Sequence, residues 1–303
     1  MPSLRFAVIG RGRMAATMRA LVGDVGEDKA DAVYIAGRNR DHAARSLAAL
    51  ADGKAVLCEK PATMGVAEAE AVVAESRRTG LLYMEAVATP FLPAVAAALA
   101  AVRSGRIGAP ARVEASFGYR VRRADHPRLF EADGGARRPG GISADACTDR
   151  PRPRAGMRCS VDRDAAGIDV AARLTLDHAG GGVSDLAVSF VERLDNSLRI
   201  VGDGGAVEVQ PPLLTAQRLR FTGPGRAAPS PLWRHARQNP LVRRLGDLGS
   251  RGSARWHPFG ASPYAHEIEH FVALHRAGAI ESPVISHART VEVARLVEQA
   301  RRL

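Results

Sequence analysis

Residues 53–63 read GKAVLCEKPAT. The four apolar residues at 55–58 predict a short buried strand. It runs straight into Glu59, Lys60 and Pro61, so that an acid, a base and a proline stand at its carboxyl end. In open α/β sheets, ligands bind outside the carboxyl ends of the strands. A lysine desolvated there titrates nearer neutrality and can move protons. The same letters also fit a surface Glu-Lys pair, with Pro61 starting the next helix. The neighbouring segments decide between the two.

Toward the amino terminus, LRFAVI (4–9) predicts a strand that enters Gly10-Arg11-Gly12-Arg13-Met14-Ala15. This is a G-x-G-x-x-A turn opening a helix over 14–22. Its glycines let backbone approach a pyrophosphate, and the helix start offers N–H groups to phosphate. A glycine turn in any βα unit would look the same. DAVYIA (31–36) predicts a second strand and GRNRDH (37–42) a loop. A helix at 43–51, the strand at 55–58, a helix at 66–78 and a strand at 81–85 follow. Strands alternating with helices imply a parallel, doubly wound sheet.

Several motifs together resemble the Gfo/Idh/MocA oxidoreductases: AVIGRGRMA, DAVYIA with NRDHAARSLAALADGKAVLCEKP, and MEAVATPFLPAV with SGRIG. The MEA, FLP and GRIG run is most similar to the dihydrodiol dehydrogenase branch. The likeness continues through GIDVAARLTLDHAGGGVSDLAVSF, NSLRIVGDGGAVEV and the closing SPYAHEIEHF segment. It implies NAD or NADP as cofactor and hydride transfer to or from a hydroxyl-bearing carbon. The substrate would be a small alcohol or carbonyl compound. By this resemblance Gly10, Gly12 and Met14 line the pyrophosphate, and Asn39 and His42 lie near the nicotinamide. Glu59, Lys60 and Pro61 match the family's EKP, and Lys60 would hydrogen-bond the reacting hydroxyl and relay its proton. On their own, Asn39 reads as a turn residue and His42 as an exposed helix-start histidine.

Three departures qualify this. Only 18 residues separate Gly12 from Asp31, where the family has room for a further strand and helix. A Rossmann site normally presents an Asp or Glu to the ribose at a strand end; Asp31 begins a strand instead. If the DAVYIA strand took the ribose-side position, Arg38 and Arg40 would bind a 2′-phosphate and favour NADP. If it keeps the family position, which the collinear match from Asp31 to Pro61 favours, the adenosine half is missing and 4–9 becomes a sheet edge. Second, Arg38 stands where the family has a proline. Third, in the segment of the second catalytic group only Asp145 matches. Cys147 and Asp149 replace a Gly and a His or Tyr, and Pro151 and Pro153 would break the helix. Asp145 would orient a substrate hydroxyl or stand in a solvated loop.

From Arg112 the pattern turns to period two, predicting an open, mainly antiparallel sheet packed on helices. In the family its free face mediates oligomerisation, implying a homodimer or homotetramer. Residues 222–262 read as a long loop or insertion, with Trp233 and Trp256 as its anchors. His266-Glu267-Ile268-Glu269-His270 satisfies H-E-x-x-H, with Glu292 or Glu298 as an imaginable third zinc ligand. The Gly and His needed further on are replaced by Ala273 and Arg276, so the histidines read as a solvated helix face.

Composition sets outer bounds. The net charge of +11 comes almost wholly from arginine, since Lys29, Lys54 and Lys60 are the only lysines. The charge concentrates at 120–163 and 218–256, without the aromatic interleaving of a nucleic-acid module. No apolar run reaches the ~20 residues of a membrane span, and three cysteines form no disulfide framework. The expectation is a cytoplasmic α/β oxidoreductase with a shortened Rossmann-like domain at 1–87 and an α+β substrate and oligomerisation domain at 88–303. The rivals are an inactive relative that keeps the fold and, third, a zinc hydrolase.

Overall fold

The structure is a computed structural model and describes residues 4–131, 154–223 and 254–302. Two compact units form. The first holds the chain up to Val87 together with Tyr264–Arg302, and the second holds Ala88–Pro263. The closing helices, placed by sequence in an 88–303 domain, therefore belong to the first unit.

The first unit is a four-stranded parallel sheet: β1 (Phe6–Ile9), β2 (Ala32–Ile35), β3 (Ala55–Glu59) and β4 (Tyr83–Ala86), side by side in that order. Helices α1 (Arg13–Val22), α2 (His42–Ala51) and α3 (Val66–Thr79) connect them. The next helix starts at Val66, so Pro61 does not open it. Strands β2 and β3 read as continuous apolar runs because both faces are covered. One face carries Val33, Ile35, Val56, Cys58 and Tyr83 against Ala43, Ala49, Leu50 and Val72 of α2 and α3. The register puts Phe6, Tyr34, Leu57 and Glu59 on the other face. There α5 (Ala265–Arg276) covers them, Phe271 packing on Phe6 at 5.9 Å between ring centroids.

β2 sits between β1 and β3, the family position, so β1 is an outer strand. Its edge is satisfied by its own chain. Val25 N–H donates to Phe6 O at 2.9 Å and Val8 N–H to Asp24 Oδ1 at 3.4 Å. Arg19 Nη2 donates to Val8 O at 2.7 Å and Gly10 O at 2.9 Å, while its Nε donates to Asp24. The opposite edge, at β4, is closed by Tyr83 N–H donating to Ile280 O at 3.0 Å. There His287 Nε2, on α6 (His287–Arg302), lies 3.3 Å from Tyr83 O.

The second unit contains α4 (Pro93–Arg103) and an eight-stranded sheet, mainly antiparallel as expected. The strands are β5 (Pro110–Gly118), β6 (Arg154–Arg163), β7 (Asp169–His178), β8 (Val183–Ser189), β9 (Leu198–Gly202), β10 (Gly205–Val209), β11 (Arg218–Thr222) and β12 (Ala254–Trp256). β6 comes from a stretch to which the sequence assigned no element, and β12 from one read as a loop. One face buries Val113, Ile200 and Val207, and α4 packs on β10 and β11. The other face aligns Glu114, Arg199, Glu208 and Arg220 across four strands, with ion pairs Arg199–Glu114 and Arg220–Glu208 at 3.2 and 2.6 Å. Trp256 is more than half exposed, with the Arg218 guanidinium over its ring, and Trp233 lies outside the described residues. No helix among the described residues is long and apolar enough to cross a membrane.

Arg19→Ala would strip two charge-assisted hydrogen bonds from the β1 edge. The expected loss is about 1 kcal/mol, kept low because the guanidinium is 40% exposed. Urea unfolding checks it, and a wild-type midpoint would show that Arg19 does not close the edge.

Candidate active site

The apolar side chains of β3 are excluded from water as far as Cys58, and the strand then delivers Glu59 and Lys60 to its carboxyl end. Glu59 is fixed from beneath. Tyr34, in register on β2, donates its hydroxyl to Glu59 Oε1 at 2.6 Å. The second oxygen accepts the Lys60 backbone N–H at 3.1 Å and lies 3.5 Å from Lys60 Nζ. The loop beyond is clamped as well. His42 Nδ1 donates to Pro61 O at 2.8 Å, and Ala62 N–H donates to Glu85 Oε1 at 3.1 Å. The Lys60–Pro61 peptide is cis. The Lys60 side chain stays 28% exposed and that of Glu59 13%, while His42 and Glu85, which hold the loop, are buried.

His42 is thus a buried residue, not an exposed helix-start histidine. Its other ring nitrogen, Nε2, has no hydrogen-bond partner. Asn39 is also buried, in the short 3-10 turn Asn39–Asp41. Arg38 precedes that turn at the end of β2, away from the outer side of β1. Arg38 and Arg40 therefore lack the ribose-side placement that the 2′-phosphate reading required. Asp31 holds Arg5 through two side-chain bonds at 2.7 and 3.0 Å, at the amino end of β2. That partner pulls its carboxyl down to about 2. Gly10 takes a positive φ of 133°, and a Cβ there would meet Ala36 O at 2.4 Å, so glycine is required. Gly12 precedes the first residue of α1, and Met14 lies in its first turn, half-buried. Asp145, Cys147 and Asp149 lie outside the described residues.

Two acids join this site that motif reading did not assign to it. Glu85 ends β4 on the α2/α3 face and is buried, which raises its carboxyl above the ordinary range. Glu267 is 1% exposed, and its Oε1 has no partner. Burial pushes it up to about 8; Glu59 and Glu85 add to the rise and Lys60 opposes it. Its signal was in the sequence. Tyr264, Glu267, Ile268 and Phe271 form the i, i+3, i+4, i+7 stripe by which a helix faces a core.

The H-E-x-x-H histidines serve otherwise. His266 Nδ1 lies 3.2 Å from Glu269, and half-buried His270 meets Ser282 Oγ at 2.8 Å, so the second is not a solvated residue. Glu298 Oε1 accepts the Val66 N–H at 2.8 Å, at the start of α3. No group of three His, Cys, Asp or Glu among the described residues could hold a metal ion.

An acid raised on folding stabilises the fold below its unfolded titration and loses that contribution as pH rises through the folded one. Wild-type stability should therefore fall between about pH 4.5 and 8, on the order of a few kcal/mol. Glu267→Gln should flatten most of that slope in urea titrations. An unchanged slope would mean that Glu267 is not held protonated.

Comparison with known proteins agrees with this architecture. Residues 15–87 match the family model of the Gfo/Idh/MocA oxidoreductases, described as an oxidoreductase family with an NAD-binding Rossmann fold. The trans-1,2-dihydrobenzene-1,2-diol dehydrogenase of Sus scrofa is 26% identical over 292 residues, covering 90% of this chain and 77% of that protein. The aldose-aldose oxidoreductase of Caulobacter crescentus, solved with glycerol, superposes with a TM-score of 0.78 at 18% identity, over 99% of this chain and 97% of its own. Levoglucosan dehydrogenase, solved with NADH and levoglucosan, gives 0.74 at 18% identity, over 99% and 89%. The family model on the parallel sheet, the relatives along nine-tenths of the chain and the shared fold converge on a likeness to the Gfo/Idh/MocA oxidoreductases.

Proposed function

We propose that this chain transfers a hydride between NAD or NADP and a hydroxyl-bearing carbon of a sugar-like, cyclic polyol or dihydrodiol substrate, with Lys60 handling the hydroxyl proton. The observation that carries this is the setting of Lys60. Its backbone is held by Glu59 and its loop by His42 and Glu85, while its side chain stays 28% exposed at the carboxyl end of a parallel sheet. A base held this way is suited to exchanging a proton with an alcohol bound beside it. The names of the relatives, a dihydrodiol dehydrogenase and a levoglucosan dehydrogenase, support the substrate class.

The residues fit the pyrophosphate and nicotinamide half of a dinucleotide. Gly10 can carry no side chain against Ala36, which keeps the turn open for close backbone approach, and α1 starts directly after Gly12. Asn39 and His42 lie at the β2 end, beside the Glu59–Pro61 loop. When bound, the nicotinamide supplies the hydride donor or acceptor. Lys60 Nζ holds the alcohol proton, Glu59 orients the ammonium, and His42 keeps Pro61 in place. Asp145 completes the proposal as the group that orients a second substrate hydroxyl. By the family resemblance, the open face of the second sheet is the proposed contact between copies of the chain. The free thiols Cys58 and Cys159 suit a cytoplasmic protein.

One observation favours the reading of an inactive relative. The outer side of β1, where an adenosine ribose would be held, is filled by residues 24–26, and Asp24 there is already bound by Arg19. Calorimetric titration with NADH and NADPH separates the two readings. Micromolar binding supports the oxidoreductase, and no binding at millimolar concentration by folded protein supports the inactive relative. With a substrate in hand, Lys60→Ala should lower turnover at least about a hundredfold and leave the dinucleotide Kd within a few-fold. Near-normal turnover would remove Lys60 from the role.

A further inference from the structure

Arg19 braces the outer edge of β1, and its guanidinium has donors left over. A guanidinium carries five N–H donors. Nε donates to Asp24 Oδ2 at 2.9 Å, and the two hydrogens of Nη2 go to Val8 O and Gly10 O at 2.7 and 2.9 Å. The two on Nη1 meet no acceptor among the described residues. The side chain is 40% exposed, so these two are left to solvent or to a ligand. The group is nonetheless firmly held. The other Asp24 oxygen accepts the Gly26 N–H at 3.1 Å and the Val8 N–H at 3.4 Å, which fastens the ion pair to the strand it braces. Strand geometry fixes the side on which this happens. Ile9 O meets the Ala36 N–H toward β2, so Val8 O and Gly10 O, one residue to either side, point away from β2. Gly10 is the first glycine of the G-x-G-x-x-A turn. A Rossmann site holds the adenosine ribose on this side, with an acid for a 2′-OH or an arginine for a 2′-phosphate. The acids of the region are engaged, Asp24 by Arg19 and Asp31 by Arg5 at the amino end of β2. The arginine is present.

We propose that Arg19 selects the dinucleotide, its two Nη1 donors taking the 2′-phosphate of NADP or NADPH in preference to the 2′-hydroxyl of NAD or NADH. The inference rests on the reading of the glycine turn as a dinucleotide site, and it names the member of that class. Hydrogen bonds from arginine to phosphate are charge-assisted and roughly twice as strong as neutral ones. A hydroxyl offers the guanidinium no charge to meet. The surroundings pull both ways. Asp24 cancels part of the Arg19 charge, while Arg11 and Arg13, exposed in the same turn and in no ion pair among the described residues, add positive field. Those two favour the pyrophosphate that both dinucleotides share, so the choice between them falls to Arg19.

Calorimetric titration of the full chain with NADPH and with NADH reads this directly, without turnover. Wild type should bind NADPH at least about tenfold more tightly than NADH. In Arg19→Ala, NADPH should weaken by at least about tenfold and NADH by no more than about threefold, which brings the two together. Arg5→Ala removes a cation at the opposite end of the strands and should leave both constants in place. A preference for NADPH that survives in folded Arg19→Ala overturns the proposal. A second measurement needs no variant and decides the matter if Arg19→Ala does not fold. On wild type, 2′,5′-ADP should displace a bound dinucleotide at least about tenfold better than 5′-AMP, which lacks only the 2′-phosphate. Equal displacement by the two, or none by 2′,5′-ADP, overturns the assignment. Micromolar binding of NADH and NADPH without preference removes the role of Arg19 and keeps the oxidoreductase reading. Binding of neither removes both, so the two failures are told apart.

Discussion

A parallel sheet leaves polar backbone at each edge and two faces to cover. In this chain that requirement governs the first unit. With β1 and β4 as the outer strands, three edge groups of β1 and the Gly10 carbonyl just beyond it are taken up by Arg19, Asp24 and Val25, and Tyr83 of β4 is met by Ile280 and His287. One face is covered by α2 and α3. The other would lie bare without α5, which returns from the far end of the sequence to place Phe271 on Phe6. The closing helices are therefore integral to the sheet that carries the EKP loop.

That covering helix brings an acid with it. A carboxyl at a core-facing helix position has lost its water, and two further acids stand at the same end of the sheet. Three carboxyls near one ammonium cannot all ionise without cost. Glu59 spends its oxygens on Tyr34 and the Lys60 loop, Glu85 accepts from Ala62, and Glu267 is left with an unpaired oxygen. This inequality of partners distinguishes three residues of one type.

The short first connection has the opposite effect. Where a longer chain would add a strand beyond β1, residues 23–30 turn down its edge and enter β2. The turn satisfies backbone groups efficiently, and Asp24 becomes a structural ligand of Arg19. The same few residues that satisfy the β1 edge thus lie on the side where a Rossmann site would hold an adenosine ribose.

Much of this was legible in the sequence, because local patterns carry local structure. Apolar runs of four or five placed β1 to β4 to within two residues, and glycine turns and 3.6-residue periodicity placed α1 to α3. The end of β3 marked Glu59 and Lys60, since strand geometry puts whatever follows the apolar run at the sheet's rim. What a side chain meets across the fold was not legible. Nothing local to His42 shows that its Nδ1 meets Pro61 O. Nothing local to the H-E-x-x-H helix shows that Glu267 is buried, and Glu298, considered as a zinc ligand, instead accepts the Val66 N–H from 232 residues away. Sequence by itself determined the elements of the parallel sheet, their order and the acid–base pair at the strand end, because those depend on neighbours along the chain. Only the tertiary structure decided which acids are buried, which edge is closed and which unit the last helices join. Desolvation and charge coupling depend on distance in space, and separation in sequence does not measure it.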